Sequence, residues 1–384
     1  MPPGLKRRRL ALLVVALAAA LPYLRTLDNY FAQDDFGVIG LLASKPATFF
    51  PRWFVMPWME DIWGYIPDEI RPFVALTYQV AAQWNPGSPV AQHVINVALH
   101  AGNALLVFVI AEAAAGLTTV AAAFAAITFA VLPMQTESVA WVTGRVDSMP
   151  AFFYLLAFYL YCRWRQQRHA SLYLGSTIAC FIALFSKQNT ITLAPALVAY
   201  DLVLARQPLR ASWAWLRPYL PFVLLTAGYL LLRYEVFGQV ARESMLSADR
   251  LGLFAHDLST HLRRMIYGEP GLAMPAGRAA LTAGAVAIAI AVAATLLARE
   301  TTRRLMPAAF YFAVVWMVLG IAPTLVAGYA SPRHMYLASV GWAIALGIAL
   351  ECLWQAQPSR FIRPLAARSE EHTSELQSRF GISY

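Results

Sequence analysis

Charge is scarce in this chain. Asp, Glu, Lys and Arg together make up 13% of its 384 residues, whereas an ordinary soluble domain carries about 25%. Hydrophobic residues reach 59%, and no globular domain of useful size stands outside the apolar stretches. Cysteine is scarce too. Cys162, Cys180 and Cys352 lie in or beside apolar segments, with no metal-ligand spacing and no disulfide framework, so they read as core residues. No internal repeat is visible, which argues against a transporter built from paired halves. The N-terminal run Leu10–Leu24 follows Lys6-Arg7-Arg8-Arg9 and ends without a clear small-x-small cleavage site, so it reads as an uncleaved first span. The net charge of +9 sits largely in short loops between apolar runs. That is the pattern of membrane topology signals, and it excludes a nucleic-acid partner.

What is present is a series of apolar runs approaching the roughly 20 residues that cross a bilayer. Candidate spans are 8–24, 92–113, 117–133, 147–163, 171–186, 189–205, 216–237, 279–298, 305–326 and 335–354. The segment 71–84 is too short to cross and is expected to be interfacial or re-entrant. With that segment uncrossed and the N-terminal cluster cytoplasmic, the Arg-rich loops all face the cytoplasm: Arg163/Arg165/Arg168, Arg206/Arg210, Arg299/Arg303/Arg304 and Arg360/Arg363. The positive-inside tendency favours this parity. The expected fold class is all-α, a polytopic transmembrane bundle of about ten spans with interfacial helices in its first extracytoplasmic loop. Residues 251–267 form a further amphipathic candidate.

The same parity gathers the unusual polar residues at the opposite face. Adjacent carboxylates Asp34-Asp35 follow the first span, flanked by Tyr30, Phe31 and Phe36. They are either a turn and helix cap or a general base or metal contact. His93, Asn96 and His100 share a helix face. Helix–helix hydrogen bonding is the simpler account of them, and a two-His metal site the sharper one. Glu137, Arg145 and Asp147 stand between spans, where charge is expensive unless paired or wet. Arg145 is a structural ion-pair member or an anion contact, because its planar fork suits phosphate. Lys187, Arg333 and Arg71 are snorkelling anchors or a basic pocket for a lipid phosphate.

Taken together, Asp34-Asp35, Arg71-Pro72, His93-x-x-Asn96-x-x-x-His100, Thr136-Glu137-x-Val-Ala-Trp141-x-x-Gly-Arg145-x-Asp147, Ser186-Lys187 with Tyr200-Asp201, and Arg333-x-x-Tyr336-Leu resemble one family. It is the transmembrane, tetratricopeptide-repeat O-mannosyltransferase-like proteins, among the C-type glycosyltransferases, alongside protein O-mannosyltransferases and bacterial lipid-A glycosyltransferases. The resemblance covers roughly residues 10–354 and is most specific from His93 to Asp201.

It implies a membrane enzyme that takes a sugar from a polyprenyl-phosphate carrier and passes it to a protein, lipid or glycan hydroxyl on the extracytoplasmic face, inverting the anomeric centre. Asp35 is the expected base, with Asp34 as its neighbour or an acceptor or metal contact. Arg71, Arg145, Lys187, Arg333 and Tyr336 are expected at the lipid phosphate or substrate, supported by His93, Asn96, His100, Glu137 and Asp147. A divalent metal, Mg or Mn, is left open, because some relatives bind one at the first-loop carboxylates and others do not.

The chain departs from the family pattern at Leu132, Gln135, Gln188 and Pro332, where His, His, an acidic residue and Glu are usual. No role of those side chains carries over, which keeps a pseudoenzyme or partner-dependent subunit as an alternative, beside a transporter or scaffold. The expected domains are a glycosyltransferase-like membrane domain over 1–354, a cytoplasmic tail over 355–367, and a non-native segment over 368–384. From Arg368 onward the sequence resembles a translated sequencing adapter, so the native chain is expected to continue beyond it. No tetratricopeptide repeat is visible. The Ala- and Arg-rich composition with short loops points to a bacterial inner membrane, with the site facing the periplasm or exterior; an endoplasmic reticulum location would use the same topology.

Overall fold

The structure is a computed structural model that describes residues 3–60, 62, 68–84, 87–208, 212–240, 253, 256–261, 300–328 and 331–356. Among the described residues it is all-helical. Helix α1 (Pro3–Ala20) continues as a 3-10 segment to Asp28. The first loop carries α2 (Asp35–Ser44), a 3-10 turn (Ala47–Phe54) and α3 (Pro72–Trp84). Then follow α4 (Val90–Ala113), α5 (Thr119–Val131), the short α6 (Gln135–Ala140), α7 (Arg145–Gln167) and α8 (Ala170–Leu184). After these come α9 (Leu193–Ala199), α10 (Trp213–Leu216), α11 (Leu220–Phe237), α12 (Glu300–Ala327) and α13 (Ser339–Ala356).

Among the described residues, four helical stretches are long and apolar enough to cross a membrane: Gly4–Asp28, Val90–Ala113, Trp213–Phe237 and Pro307–Ala327. Helices α5, α8 and α13 are apolar but shorter. The expected span 189–205 is a continuous helical run that changes pitch: a 3-10 turn (Gln188–Thr192) leads into α9, and a π turn (Tyr200–Leu204) closes it. Pro195 falls in the first turn of α9, where its missing N–H breaks no helical bond. The segment 71–84 forms α3, whose 13 residues rise about 20 Å, short of the roughly 30 Å hydrocarbon thickness. The expected span 279–298, the tails beyond Ala356 and most of 251–267 lie outside the described residues.

Small residues let the helices approach. A Cβ on Gly347 of α13 would stand 2.9 Å from Ala125 Cβ on α5, and one on Gly341 would stand 2.4 Å from the Ala313 carbonyl on α12. Where lipid supplies no hydrophobic drive between helices, close backbone contact of this kind supplies the packing. An aromatic core of Tyr154, Phe158, Phe312 and Trp316 ties α7 to α12.

Helices α4 and α7 run parallel and define two ends. Arg145 at the start of α7 bonds Asn96 near the start of α4, whereas Gln166 at its end bonds the Ala113 carbonyl (3.0 Å). At that second end lie Arg8, paired with Glu112 (2.8 Å), and Arg165, paired with Asp201. The basic N-terminus and the Arg165 loop therefore share one end, and every candidate site residue lies at or toward the other.

Candidate active site

The turn between α6 and α7 organises the site. Asn96 on α4 donates to the carbonyls of Val139, Trp141 and Val142 (2.9–3.3 Å). Its own oxygen accepts from Arg145 Nε at 2.7 Å. Arg145 is fully buried and donates further to Thr77 Oγ1 (3.2 Å) and the Gln92 carbonyl (2.8 Å). Its guanidinium lies 4.4 Å from the Tyr78 ring centroid. Gly144 makes the turn possible, since a Cβ there would stand 2.2 Å from the Glu137 carbonyl oxygen. The Glu137-to-Asp147 motif thus reads as a clamped turn: Asn96 and Arg145 hold it, and Glu137 and Asp147 project from it. Arg145 is spent on Asn96, Thr77 and Gln92 rather than on the ion pair with Glu137 or Asp147 offered for it, and those carboxylates pair with Arg333 and Lys187 instead.

Glu137 and Asp147 meet the cations of later turns. Arg333, in a 3-10 turn (Pro332–Met335), binds Glu137 Oε1 at 3.1 Å and stands 3.6 Å from Asp147 Oδ2. It also lies over the Trp141 ring at 4.9 Å. Ser331 donates to Glu137 Oε2 at 2.6 Å. Lys187 pairs with Asp147. Burial pushes the Lys187 ammonium below its ordinary value, against the opposing pull of Asp147. Arg71 pairs with Glu69 (2.8 Å), stacks on Trp58 (5.5 Å), and lies close enough to act on Lys187. Burial, with Lys187 and Arg333 beside it, drives His334 down to about 3, so this imidazole is neutral and adds no charge.

The two first-loop carboxylates differ sharply. Asp35 is 1% exposed. Its Oδ1 accepts from the Thr143 backbone N–H (2.8 Å) and hydroxyl, and its Oδ2 from the Ala32 N–H (3.0 Å). It is a latch between the first loop and the α6–α7 turn, reinforced by Trp141 Nε1 donating to the Ala32 carbonyl (3.3 Å). Asp34 precedes α2 but makes no capping bond, and it is half-buried. Desolvation raises its carboxyl above the usual range; Arg333 acts against that, and Asp35 adds to it. Asp34 therefore stands in the field of the Arg333 cluster.

Two expected residues lie elsewhere. His100 and Tyr336 are fully enclosed about 10 Å further along α4 than His93, seven residues at 1.5 Å each. His100 Nε2 faces the Ala130 carbonyl (3.0 Å) and must carry the proton, so Nδ1 accepts from the Tyr336 hydroxyl (2.7 Å). Asn103 donates to the same hydroxyl oxygen (3.0 Å) and to the Ser148 carbonyl. This network stitches α13 to α4, α5 and α7, and it touches neither cluster.

Two cavities flank the charged group. One, of about 150 Å³, is lined by Lys187, His334, Gln188, Asn189 and the Asp68–Arg233 pair, together with apolar residues including Ile191, Leu230, Pro323 and Val326. The other is an open cleft of about 570 Å³ bounded by Asn29, Tyr30, Asp35, His93, Glu137 and Trp141. Among the described residues no three His, Cys, Asp or Glu side chains gather in a metal-holding group, and Asp35 already accepts from three donors. The donor set does not fit a divalent ion, and no step below is routed through one.

Human protein O-mannosyl-transferase TMTC4 is 30% identical over 223 residues, half of this chain and 29% of its own length. The fruit-fly Tmtc1 protein is 32% identical over 187 residues, 46% of this chain and 21% of its own. Human TMTC1 is 28% identical over 206 residues. The chain resembles the protein O-mannosyl-transferases. This O-mannosyl-transferase-like chain spans less than a third of the length of these relatives, and no family model matches it.

The ionisable residues mark this region in the sequence, but not the groups that aim them. Thr143, Ser331 and His334 all fall inside or beside quoted motifs, so their neighbourhood was the available signal. Gln135, which replaces the family's His, is fully buried and donates to the Phe129 carbonyl and Ser339.

Proposed function

We propose that the chain is an integral membrane glycosyltransferase of about ten crossings. It moves a mannosyl or related hexosyl group from a polyprenyl-phosphate donor to a protein hydroxyl at the α2 end of the bundle, the extracytoplasmic side of a bacterial inner membrane. The protein acceptor follows the names of the relatives. The observation that carries the reading is that a first-loop carboxylate, Asp34, lies in the field of Arg333, whose guanidinium joins Glu137 and Asp147 beside Lys187.

The chemistry follows from that geometry. Asp34 accepts the acceptor hydroxyl proton as its oxygen bonds to the anomeric carbon. The bond from that carbon to the phosphate oxygen breaks, and the electron pair leaves with the lipid phosphate. Displacement at one face inverts the centre. A base held near the operating pH is the efficient one, and desolvation moves Asp34 in that direction. Preorganised cations stabilise the departing charge. Arg333 spends one N–H on Glu137, and its Nε has no hydrogen-bond partner. Lys187 spends one of three donors on Asp147. The apolar residues lining the cavity with Lys187 suit a prenyl chain. Asp35, the base expected from sequence, becomes the residue that positions Asp34.

The test is sugar transfer from polyprenyl-phosphate mannose in membranes holding matched amounts of wild type, Asp34→Asn and Asp35→Glu. Asp34→Asn is expected to abolish transfer while leaving the protein folded. Wild-type rates in Asp34→Asn would remove the proposed base.

A further inference from the structure

We infer that the open cleft on the first-loop side of Trp141 is the acceptor subsite, shaped for an extended polypeptide whose residues flanking the reactive hydroxyl are basic or neutral. This deepens the transferase reading and rests on it for the protein nature of the acceptor.

The cleft has its own charge character. Of its nine lining residues, Asp35 and Glu137 are the charged ones, and neither Lys nor Arg is among them. Glu137 is offset by Arg333 at 3.1 Å. Asp35 accepts only from uncharged donors, Thr143 and Ala32, with the buried Arg145 guanidinium behind it within electrostatic reach. A phosphate is repelled there, which separates this space from the cation cluster across Trp141. An acidic side chain is disfavoured in the same way.

A second observation marks the cleft as a site. His93 lines it, is 1% exposed, and its ring nitrogens make no well-formed hydrogen bond, their one backbone neighbour being Asn29, which also lines the cleft. A buried polar group left unpaired costs about 1–3 kcal/mol, and a peptide N–H or hydroxyl entering the cleft supplies the missing partner. Tyr30, 66% exposed, and Trp141 offer ring faces. Such faces attract Lys or Arg side chains. The cleft volume of about 570 Å³ lies within the usual range of about 300–1,000 Å³ for ligand sites. Gln33 and Asp35, both lining residues, bracket Asp34 in sequence, so a bound chain passes next to the proposed base.

The experiment uses the full chain in detergent with two probes. One is a fluorescent threonine peptide with flanking lysines, matched to one with flanking glutamates. The other is radiolabelled polyprenyl-phosphate mannose. The basic peptide is expected to bind at least tenfold tighter than the acidic one. Tyr30→Ala and His93→Ala are each expected to weaken peptide binding about tenfold while donor binding stays unchanged, and His93→Gln to restore part of the loss. Tyr30 is exposed, so its variant guards against misfolding. Equal binding of both peptides, or weakened donor binding with peptide binding intact, would overturn the inference. A wild type that binds the basic peptide through Tyr30 and His93 but takes up no donor would instead overturn the transferase reading and leave a peptide-binding cleft.

Discussion

The two ends of α7 hold the same ingredients in opposite states. At its far end the fully buried Asp201 accepts from Arg165, from the Tyr161 hydroxyl (2.6 Å) and from the Tyr219 hydroxyl (2.6 Å). Both oxygens are engaged. Glu112, with Arg8 and Thr119, and Glu351, with Thr118 and Gln355, are similarly occupied. About 27 Å away along the same helix (18 residues at 1.5 Å each), Asp147 Oδ2 and Arg333 Nε face each other at 3.6 Å, an ion pair without a hydrogen bond. A saturated cluster has nothing left to offer a ligand. What separates the two ends is access: Glu137, paired with Arg333, lines an open cleft, whereas Asp201 is fully buried.

The comparison breaks most visibly if the carboxylates are exchanged for amides. Asp34→Asn is expected to lower sugar transfer by about 10²–10⁴-fold, the usual worth of a general base, with the thermal midpoint in detergent unchanged. Asp201→Asn is the mirror case. It leaves Arg165 facing an amide, and loss of one partner of a buried pair costs about 3–5 kcal/mol. The thermal midpoint should fall, while transfer per folded molecule stays near wild type. If Asp201→Asn instead abolished transfer without lowering the midpoint, the far cluster would be part of the chemistry.

Smaller effects sharpen the contrast. Gly144→Ala forces a Cβ against the Glu137 carbonyl. Overpacking of this sort costs about 1–3 kcal/mol, and the displaced turn should weaken donor binding through Glu137 and Arg333. The readout is midpoint and donor KM together; a fall in midpoint alone would separate the turn from the site. Arg333→Gln removes the cation that lowers Asp34. The Asp34 carboxyl then rises further, so the acid limb of the pH–rate profile should move to higher pH. An unmoved limb would mean that Asp34 is not the titrating base.

The bundle and the sidedness of its charges were legible in sequence because hydropathy and arginine placement are local signals. Helices α4 and α11 fell close to their expected ends, and Arg8 and Arg165 share one end as the loop charges required. What local signals miss is long-range partnership. Asp34 and Asp35 look alike in the chain. Only the fold brings Thr143, 108 residues away, to saturate one of them. Arg145 offers the same fork to phosphate or to Asn96 until α3 and α4 close around it. Tyr336 sits in a motif with Arg333, but three residues on a tight turn send it into the core, 236 residues from its His100 partner. The change of pitch within 189–205 was hidden for another reason: its composition is that of a span, and the 3-10 and π turns leave no mark on hydropathy.

The fastening of Asp35 to Thr143, with Trp141 on Ala32, reaches further than the choice of base. A segment stitched at several points to a turn far along the chain is a poor gate. The opening ectoloop and the α6–α7 turn therefore travel as one rigid block, and any opening of the cleft beside them has to come from movement elsewhere, most simply from rotamer changes of the partly exposed Arg333 and Glu137.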